Sequence, residues 1–598
     1  MILKLQPLKF NKNRNQPFMV CDIEVSDWTK FLVLGLYDGE TYETFEDLED
    51  FFDYIFELGH KKLIIYAHFG GIFDFLFLIQ ESFNQYPKYL IENMIPRGSG
   101  LLSFDMSIRL NKKRCKITFM DSSAFLPFSL RSLSENFKVE HNKLEIDYEK
   151  ITKVTPELIK YLEHDCKGLC QVIKKYRSWP LISRAGSKST MASQALQVLR
   201  LFLSKPIHSL SDRADAFVRK SYFGGRTEIF KPFYQGKEPI YCYDVNSLYP
   251  TVMLENEFPN RCLRSTRKYH PEKMGFYDAE VEVPESLYVP PLGIVHEVNG
   301  SEKFIFPTGR FKGRWSTIEL EYARSLGVKI LSTGEGYIFS NGGFIFKDFI
   351  KELYDIRLKA KETDNKVDDI LAKLLMNSCY GRFGLNRERE NIVFDNGEVG
   401  LTPFTEIETK MGTVRLSKEK KSLDTFTNVA IAAWVTSLSR IYMHKIYMQC
   451  ASELYYTDTD SLFTTKVFPE SKDLGKLKLE YKAHEACFLL PKTYMVDHVE
   501  GLMKGGKSVD KKVVMKGFDF RKVQKFQLED FQSALEGELR ILRSEMPSKG
   551  LASFKTALKK GKVIMKKPEM SREIRAKYDK REIFKHENVY DSKPLHLG

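Results

Sequence analysis

Two groups of acidic residues in this sequence have the types and spacings of metal-binding carboxylates. The first begins with Asp22 and Glu24, which alternate along a predicted strand, so both side chains leave one face. Asp74 follows a second predicted strand, while Tyr161 and Asp165 are four residues apart on a predicted helix and share a face. Because Mg²⁺ prefers oxygen ligands, the four carboxylates together could hold two such ions and activate water against a phosphodiester.

The second group lies in two segments far apart in the chain. Residues 241–250 read YCYDVNSLYP, a strand that reaches Asp244, and residues 455–463 read YYTDTDSLF, with Asp458 and Asp460 in a predicted hairpin turn. Carboxylates this close repel one another unless a cation compensates. A lone DTD is most often a polar turn, and single DxE or YxxxD pairs are most often surface pairs. Their combination and order favour two metal sites instead.

A polar stripe lies between these two segments on a predicted helix. Residues 371–384 read LAKLLMNSCYGRFG, in which Lys373, Asn377, Tyr380 and Gly381 fall on one face. Lysine supplies a charge for phosphate, tyrosine a stacking surface and glycine room for a base pair. Because glycine inside a helix costs about 1 kcal/mol relative to alanine, we interpret the stripe as a nucleotide-facing surface rather than a solvated face.

Charge and composition narrow the class of protein. The 598 residues carry 92 Lys and Arg against 79 Asp and Glu, a net charge of +13, which favours a polyanionic partner. Residues 551–598 alone hold 13 Lys and Arg against 6 Asp and Glu, which is typical of a segment that grips a nucleic-acid backbone. Apolar residues make up 43% of the chain, which excludes a disordered or collagen-like protein.

The cysteines and the apolar segments indicate the compartment. The nine cysteines include no CxxC pair, so we expect reduced thiols, with Cys166 and Cys170 as core thiols rather than metal ligands. The first residues lack the apolar stretch of a secretory signal, and no window approaches a membrane span. We expect a soluble, intracellular protein without a membrane partner. Host cytoplasm and mitochondrion are not distinguished.

An α/β unit must position the first group of carboxylates. Residues 17–24 and 61–67 read as buried strands, and residues 155–176 read as a helix with Pro156 in its first turn. The stretch 177–222 reads as a boundary before a new domain.

An α+β body must position the second group. Beyond residue 241, short strands alternate with predicted long helices over 343–384 and 426–450. The last hundred residues are rich in lysine and favour helix.

The segments DIE, FD, YxxxD, YFGG, DVNSLYP, KLLMNSCYG, YTDTDS and KTY, in this order, resemble a family B DNA polymerase with a DEDD-type 3′→5′ exonuclease. More narrowly, they resemble the protein-primed branch found in bacteriophages, adenovirus-like viruses and linear plasmids, over about residues 20 to 525. The resemblance implies an α/β and α+β multidomain fold. An RNase H-like exonuclease domain would precede a right-hand polymerase of palm, fingers and thumb with branch-specific insertions.

The resemblance implies seven consecutive regions. These are the exonuclease domain at 1–185, a linker and the first part of the palm at 186–260, a first insertion with palm elements at 261–345, the fingers at 346–385, a second insertion at 386–422, the second part of the palm at 423–510, and the thumb with a basic C-terminal region at 511–598. The first insertion would contact a terminal protein, although FPTGRFKGRW at 306–315 could equally be palm decoration. The second would give processivity and displacement of the non-template strand.

The same resemblance implies site residues. Those implied for exonuclease metal binding are Asp22, Glu24, Asp74 and Asp165, with Tyr161 aligning water and Lys143 assisting. Those implied for the polymerase metals are Asp244, the Val245 carbonyl and Asp460, with Asp458 completing the site. The implied nucleotide-binding residues are Leu248, Tyr249, Lys361, Lys373, Asn377 and Tyr380, of which Tyr249 would exclude a 2′-hydroxyl. The implied DNA-binding residues are Tyr222, Gly224, Gly225, His68, Phe73, Ser122, Thr436, Arg440, Lys492 and Tyr494.

The activity implied is protein-primed, template-directed addition of dNTPs with 3′→5′ proofreading and strand displacement, replicating a linear genome or plasmid. Each active site would use two Mg²⁺ ions, with Mn²⁺ able to substitute. The implied partners are template and primer DNA, dNTPs and a terminal protein whose hydroxyl is the first primer. We expect a monomer, or a heterodimer with a separate terminal protein, because the DIE segment starts at residue 22.

One departure and three alternatives accompany this interpretation. His68-Phe69 stands where the family usually has His-Asn, so we expect an active exonuclease with an altered grip on the single-stranded 3′ end. The alternatives are a stand-alone exonuclease, a non-catalytic DNA-packaging or capping protein, and a repair polymerase primed by nucleic acid. The host, the origin sequence, the priming residue and the processivity are not encoded in recognisable form.

Overall fold

A computed structural model describes most of the chain. The described residues are 2–10, 16–60, 62–110, 113–147, 150–395, 403–410, 412–422, 425–504, 507–516, 526–537, 550–568, 578–587 and 589–598. Parts of the predicted second insertion (396–402 and 411) and of the thumb and basic C-terminal region (517–525, 538–549, 569–577 and 588) therefore lie outside the described residues.

The first third of the chain alternates strands and helices, as its sequence predicts. Its elements are β1 (Lys4–Leu5), β2 (Phe18–Ser26), β3 (Lys30–Tyr37), β4 (Tyr42–Phe45), α1 (Leu48–Glu57), β5 (Lys62–Ala67), α2 (Asp74–Asn84), β6 (Leu90–Arg97), β7 (Gly100–Leu110), β8 (Lys113–Asp121), α3 (Leu130–Asn136), α4 (Pro156–Ser178), α5 (Pro180–Ala185), α6 (Met191–Leu199), β9 (Ile207–His208) and α7 (Asp212–Arg219). The strands predicted at 17–24 and 61–67 are β2 and β5. The helix predicted at 155–176 is α4, whose N-cap Thr155 accepts a hydrogen bond from the Leu158 N–H.

The middle third is mostly antiparallel strands with two long helices. Its elements are β10 (Thr227–Ile229), β11 (Phe233–Val245), α8 (Leu248–Glu255), β12 (Pro259–Thr266), β13 (Gly275–Val283), β14 (Ile294–Val298), β15 (Ser301–Ile305), β16 (Thr308–Ser316), α9 (Thr317–Ser325), β17 (Lys329–Asn341), α10 (Lys347–Glu362), α11 (Lys366–Phe383), β18 (Glu388–Asp395), β19 (Pro403–Thr409) and β20 (Gly412–Ser422). The prediction of one continuous helix at 343–384 is wrong. The segment contains two packed helices, α10 and α11, because Asp364 takes a left-handed conformation and Asn365 caps α11.

The last third combines one buried helix with strands and short helices. Its elements are α12 (Val429–Tyr447), β21 (Leu454–Asp458), β22 (Ser461–Thr464), β23 (Leu477–Leu490), β24 (Thr493–Glu500), β25 (Met503–Lys504), β26 (Lys507–Ser508), β27 (Lys511–Met515), α13 (Leu528–Leu535), α14 (Phe554–Leu558), β28 (Arg581–His586), β29 (Val589–Pro594) and β30 (His596–Leu597). The predicted helical character of the last hundred residues is only partly right. In the described part, helices α13 and α14 are short, and the segments Arg581–His586, Val589–Pro594 and His596–Leu597 are strands.

A ten-stranded sheet positions the first group of carboxylates. Its order is β19-β20-β18-β6-β7-β8-β5-β2-β3-β4, with β2, β5 and β8 parallel to one another. Apolar residues of α1 and α2 pack on one face and those of α4 on the other, so β2 is buried on both faces. The ribbon β18–β20 extends this sheet through a pairing of Ile392 with Met94.

A seven-stranded antiparallel sheet positions the second group. Its order is β10-β21-β22-β11-β23-β24-β27. The buried helices α8 and α12 belong to the large core on one face, while an aromatic cluster covers the other. A five-stranded sheet, β12-β17-β13-β16-β30, lies beside it.

The stretch 177–222 is a packed connection rather than an open linker. Its helices α5, α6 and α7 share one continuous core with α4, α11 and α12. The indole N–H of Trp179 donates a 2.7 Å hydrogen bond to Asp368 in the first turn of α11. All nine cysteines are free thiols. Within the described ranges, every helix is too short or too polar to span a lipid bilayer.

Candidate active sites

The first acidic cluster comprises Asp22, Glu24, Asp74 and Asp165. The central strand β2 carries the first two, while Asp74 begins α2 and Asp165 lies in the middle of α4. The backbone N–H of Ile23, between the two strand carboxylates, donates a 2.9 Å hydrogen bond to Asp74 Oδ1. The structure therefore brings together all four carboxylates predicted for this site.

Burial makes the negative charge of the first acidic cluster costly. It raises the pKa of Glu24 to about 8 and that of Asp74 to about 7. Burial and the neighbouring carboxylate of Asp74 raise the pKa of Asp22 well above its ordinary value. Burial also raises the pKa of Asp165. A group of this kind is stable in its ionised form only with positive charge beside it.

Lys143 and Tyr161 contact the Asp165 carboxylate. The Lys143 ammonium forms an ion pair with Asp165 and lies 4.8 Å from the centre of the Tyr161 ring. The Tyr161 hydroxyl acts on the same carboxylate and opposes the rise in the pKa of Asp165. Both residues predicted to assist this site thus lie in it.

The donor set of the first acidic cluster fits a divalent cation. All its ligand atoms are oxygens, which Mg²⁺ prefers. Asp165 Oδ1 is buried without a hydrogen-bond partner in the described part of the chain, which leaves a lone pair free for an ion. No three His, Cys, Asp or Glu side chains in the described residues already form a complete metal-ligand group. The carboxylates would therefore have to close around a cation.

The loop before Asp74 carries three of the predicted DNA contacts, His68, Phe73 and, packed against it, Ser122. His68 Nδ1 and the buried Ser122 hydroxyl are 2.8 Å apart, and His68 Nε2 lies 2.6 Å from the Phe128 carbonyl oxygen. The Ser122 hydroxyl thus holds the loop, and its contact with DNA stays a prediction. The Phe73 ring is half-buried against those of Trp28 and Phe77.

Phe69, in the same loop, exposes its ring to solvent beside the first acidic cluster. It is 38% exposed, and its backbone has a φ of 60°. The Phe69 N–H donates a 3.0 Å hydrogen bond to Asp121 Oδ1, which stabilises the left-handed turn. The replacement of the expected asparagine therefore places an aromatic surface next to His68.

The second acidic cluster comprises Asp244, Asp458 and Asp460. Strand β11 lies antiparallel to β22 with Asp244 opposite Ser461, and Ser461 is in turn opposite Asp458 across the hairpin. The Val245 N–H donates a 2.9 Å hydrogen bond to the Asp460 carbonyl oxygen. The structure thus joins two segments that the sequence separates by about two hundred residues.

Burial and mutual repulsion act on this cluster as well. Burial, with the charge of Asp460 next in size, raises the pKa of Asp244 to about 7, while Lys478 and Lys373 oppose the shift. Burial raises the pKa of Asp460, and Asp458 adds to the shift. The all-oxygen donor set again suits a hard divalent cation.

Neighbouring segments hold the acidic hairpin turn. Asp458 Oδ1 accepts a 3.2 Å hydrogen bond from the Thr227 hydroxyl, and Asp458 Oδ2 lies 3.0 Å from Lys492 Nζ. A Cβ on Gly225 would lie 2.7 Å from Thr459 Cγ2, so only glycine lets the YFGG segment approach the turn this closely. A Cβ on Gly224 would meet open space.

The predicted nucleotide-facing residues border the second acidic cluster. The Tyr249 and Tyr380 rings stack with centroids 4.5 Å apart at 22°. Tyr222 packs against Gly384, where a Cβ would lie 2.5 Å from its ring. The polar stripe is exposed at Lys373 and Asn377.

Two further observations concern the polar stripe on α11 and the cations near it. A Cβ on Gly381 would meet open space, which agrees with room left for a ligand. Burial and the charges of Arg357 and Lys373 lower the pKa of Lys361, so these cations share one region. The Leu248 side chain is in the core, so its predicted nucleotide contact would use the backbone.

Three predicted DNA contacts, Thr436, Arg440 and Tyr494, are buried. The Thr436 hydroxyl donates to the Ala433 carbonyl, and the Tyr494 ring packs against those of Tyr456, Phe463 and Phe488. Their side chains hold the sheet and its covering helix, and their contacts with DNA stay predictions.

Arg440 forms a buried ion pair that sequence reasoning missed. Its guanidinium lies 2.7 Å from Glu319 on α9 and donates to the carbonyl oxygens of Phe223 and Gly224 at 2.8 and 3.1 Å. The pair thus fixes the YFGG segment from behind. Only the spacing of Ser316 and Glu319, a helix N-cap pattern, signals that Glu319 begins a helix.

Comparison with known families agrees with this geometry. The family model described as DNA polymerase type B, organellar and viral, matches residues 56–156 and 150–466. The chain belongs to this family. Its members include the probable DNA polymerase of Ascobolus immersus, 28% identical over 73% of this chain and 40% of that protein. The DNA-directed DNA polymerase of Enterobacteria phage PRD1 is 27% identical over 72% of each chain. The chain spans only 40% and 54% of the lengths of the Ascobolus immersus and Neurospora intermedia relatives.

The fold is also that of a solved family member. The phi29 DNA polymerase complexed with primer-template DNA and incoming nucleotide substrates superposes with a TM-score of 0.70 at 21% identity, covering 86% of this chain and 94% of the other. The predicted fold class, an exonuclease domain followed by a right-hand polymerase, is therefore confirmed, as is the predicted family.

Proposed function

We propose that this protein is a template-directed DNA polymerase with a separate 3′→5′ exonuclease site. The observation that carries the proposal is the meeting of Asp244 with the Asp458–Asp460 turn, beside the stacked rings of Tyr249 and Tyr380. A stand-alone exonuclease or a packaging protein has no need of this second acidic cluster. Family membership and the polymerase names of the relatives support the same activity.

In the polymerase site, Asp244 and Asp460 would hold two Mg²⁺ ions, with the Val245 carbonyl and Asp458 completing the set. When bound, these ions neutralise phosphate charge and lower the pKa of a primer hydroxyl. Lys373 and Lys361 attract the triphosphate, and Asn377 borders its base. The Tyr249 ring, stacked on Tyr380, would exclude a ribose 2′-hydroxyl. These residues act mainly by orientation.

In the exonuclease site, Asp22, Glu24, Asp74 and Asp165 would hold the corresponding ions. Tyr161 orients the attacking water, and Lys143 offsets negative charge next to Asp165. The single-stranded 3′ end would enter past Phe69 and Phe73, whose rings offer a stacking surface. We infer that proofreading is active, because all four carboxylates and both assisting residues are present.

Strand displacement is supported by contacts of the ribbon β18–β20. The Thr405 hydroxyl donates a 2.6 Å hydrogen bond to the Leu558 carbonyl oxygen, and the Phe554 N–H donates to Ser99 at 3.0 Å. Residues 550–566 thus connect this ribbon to the exonuclease domain. We infer that the ribbon, fixed in this way, separates the non-template strand from the template.

Initiation on a terminal protein is the finer part of the proposal. The relatives in phages PRD1 and phi29 and in fungi support this branch, and residues 261–345 form the sheet we assign to that partner. The alternative, a repair polymerase primed by nucleic acid, needs no such partner.

The test is template-directed extension in Mg²⁺ with wild type, Asp244→Ala and Asp22→Ala. Wild type should extend a DNA primer, Asp244→Ala should not, and Asp22→Ala should extend without degrading. Labelling of a terminal protein by a single dNTP separates protein priming from ordinary priming. Absence of any extension by wild type in Mg²⁺ or Mn²⁺ would refute the proposal.

A further inference from the structure

Strand β10 is the outer strand of the seven-stranded sheet and lies directly beside the second acidic cluster. It pairs with β21 in a register that places Thr227 opposite Asp458 and Glu228 opposite Thr457. The Thr227 hydroxyl donates to Asp458 Oδ1 at 3.2 Å. Any displacement of β10 therefore moves a hydrogen-bond donor of this carboxylate.

Side chains from residues 578–592 cover the outer edge of β10, where a neighbouring strand would otherwise lie. The Tyr578 hydroxyl accepts a 3.0 Å hydrogen bond from the Ile229 N–H, and Lys580 Nζ donates to the Thr227 carbonyl oxygen at 3.3 Å. The Ser592 hydroxyl donates to the Phe230 carbonyl oxygen at 2.6 Å. Backbone groups at a buried strand edge need such partners. We name these three residues and Arg581 the edge clamp.

A buried charge network ties the edge clamp to β10. Glu228, 1% exposed, lies between Arg226 and Arg581, which are 3% and 2% exposed. Arg226 donates to Glu228 Oε2, and Arg581 Nη1 is 3.6 Å from Glu228 Oε1. Removing one member of a buried network of this kind leaves an uncompensated charge.

Arg581 is itself held by hydrogen bonds at Nε and Nη2 and by two aromatic rings, whereas its Nη1 has no hydrogen-bond partner in the described part of the chain. Its Nε donates to the Ser592 hydroxyl at 2.7 Å and its Nη2 to the Tyr288 carbonyl at 3.1 Å. Its guanidinium lies 4.7 Å from the ring centres of both Phe230 and Tyr288.

The other end of the network reaches the acidic turn. The Arg226 carbonyl oxygen accepts a 2.8 Å hydrogen bond from the Thr459 N–H, and Thr459 has a left-handed φ of 67° between Asp458 and Asp460. A continuous set of contacts therefore runs from Arg581 through Glu228 and Arg226 to the turn that carries two of the three carboxylates.

We propose that Arg581 and Tyr578 are positioning residues for nucleotide addition, which act through β10 to fix Asp458 and the Thr459 turn. They touch neither substrate nor metal. This inference rests on the proposed polymerase function of the second acidic cluster. Mutation of a residue that orients a metal-binding carboxylate commonly lowers metal affinity or activity by 10- to 100-fold.

The test compares Arg581→Met, Arg581→Lys and Tyr578→Phe in the full chain, with Lys593→Met as the control. Lys593 lies on the same hairpin, but its ion pair with Glu582 is exposed. We expect Arg581→Met to lower kcat for single-nucleotide addition roughly 10-fold, with KM for dNTP and Kd for primer-template within about twofold. Arg581→Lys keeps the charge and should recover part of the loss.

Two further readouts separate positioning from general damage. Exonuclease activity on single-stranded DNA should be unchanged, because the hydrogen bonds and the ion pair described for the edge clamp join it to β10, to Tyr288 and to itself. Amide exchange of a peptide spanning the Thr459 turn should accelerate in Arg581→Met and, to a smaller extent, in Tyr578→Phe. Lys593→Met should change neither kcat nor exchange.

The inference is overturned if kcat and exchange at the turn are unchanged in both Arg581→Met and Tyr578→Phe. It is equally overturned if kcat, exonuclease activity and the thermal midpoint fall together in every variant that lowers kcat, since that is loss of fold. If Arg581→Met does not fold, Tyr578→Phe, which removes one hydroxyl, decides the question. Failure of wild type to add nucleotides would instead refute the proposed function, while the exchange measurement would still test the contact path.

Discussion

The backbone N–H of Val245 donates a 2.9 Å hydrogen bond to the carbonyl oxygen of Asp460. This bond closes the end of β11 against the β21–β22 turn, so that Asp244 and the two hairpin aspartates occupy one site. Neither segment could hold a cation pair alone. The relationship explains why a DTD turn and a strand-ending aspartate occur in one chain.

Tyr249 is expected to govern the choice between dNTP and rNTP. Its ring is held in place by stacking on Tyr380. Tyr249→Ala should reduce discrimination against rNTP by roughly one to two orders of magnitude, the range set by loss of a steric contact. Steady-state kcat/KM for dCTP and rCTP measures this.

Tyr380→Phe provides the matched control for that experiment, because it keeps the stacked ring and removes only the hydroxyl. Its discrimination should stay close to that of wild type. Unchanged discrimination in Tyr249→Ala would exclude the assigned role.

Arg440 is expected to act in stability rather than in DNA binding. Its guanidinium and Glu319 form a buried ion pair behind the YFGG segment. Arg440→Met leaves a buried carboxylate without its partner, which should cost about 3–5 kcal/mol. Replacing both partners in Glu319→Leu/Arg440→Met should restore much of the lost stability.

Thermal unfolding of these two variants distinguishes the roles. A lower midpoint in the single variant with recovery in the double variant supports the buried pair. A normal midpoint with a weakened Kd for primer-template would instead support the original prediction of a DNA contact.

His444 is expected to make the fold sensitive to acid. Burial lowers the pKa of His444 to about 4, and the charge of Arg226 adds to the shift; the ring contacts the Val289 carbonyl and the Tyr322 hydroxyl. The unfolded chain binds this proton near pH 6.5 and the folded chain only near pH 4. Stability should therefore be full above pH 6.5 and fall as the pH drops toward 4, by up to about 3 kcal/mol.

Unfolding midpoints at pH 7.5, 6.0 and 5.0 measure this dependence. His444→Gln keeps a polar side chain of similar size that does not bind a proton in this pH range. The unfolding midpoints of this variant should therefore fall less steeply between pH 7.5 and 5.0. Parallel curves for wild type and variant would assign the acid sensitivity to other groups.

Phe69 is expected to bind the single-stranded 3′ end by stacking. Phe69→Asn suits the left-handed backbone, because asparagine tolerates positive φ, and it removes the exposed ring. Loss of the stacking interaction with one base should cost about 1–3 kcal/mol of binding free energy. The KM for exonuclease digestion of a single-stranded oligonucleotide should therefore rise more than kcat falls. Primer extension by the same variant serves as the internal control. A KM equal to that of wild type would show that the ring is not part of the grip.

The sequence was sufficient for what depends on residue type and order. Asp22, Glu24, Asp74 and Asp165 could be assigned because strand alternation and helix spacing fix which side chains share a face. The packing of β11 on the acidic hairpin could be predicted only through the family resemblance, since pairing of distant strands leaves no local pattern.

Burial was the property that the sequence did not reveal. Thr436 and Arg440 lie on a helix that is buried on nearly all sides, so their polar side chains make interior contacts. Polar side chains on a helix usually suggest a solvent-facing surface, and the sequence gives no sign of the exception. The network of Arg226, Glu228 and Arg581 joins residues from opposite ends of the chain, and no spacing rule connects them. The predicted helix at 343–384 failed at a single left-handed residue, Asp364.

The central claim is that two separate acidic clusters perform opposite reactions. The most direct measurement follows nucleotide addition and 3′→5′ degradation on the same labelled primer-template for wild type, Asp458→Ala and Asp165→Ala. We predict that Asp458→Ala loses addition and keeps degradation, whereas Asp165→Ala loses degradation and keeps addition, with primer-template binding retained in both. Loss of both activities in either variant, or retention of addition in Asp458→Ala, would contradict the account.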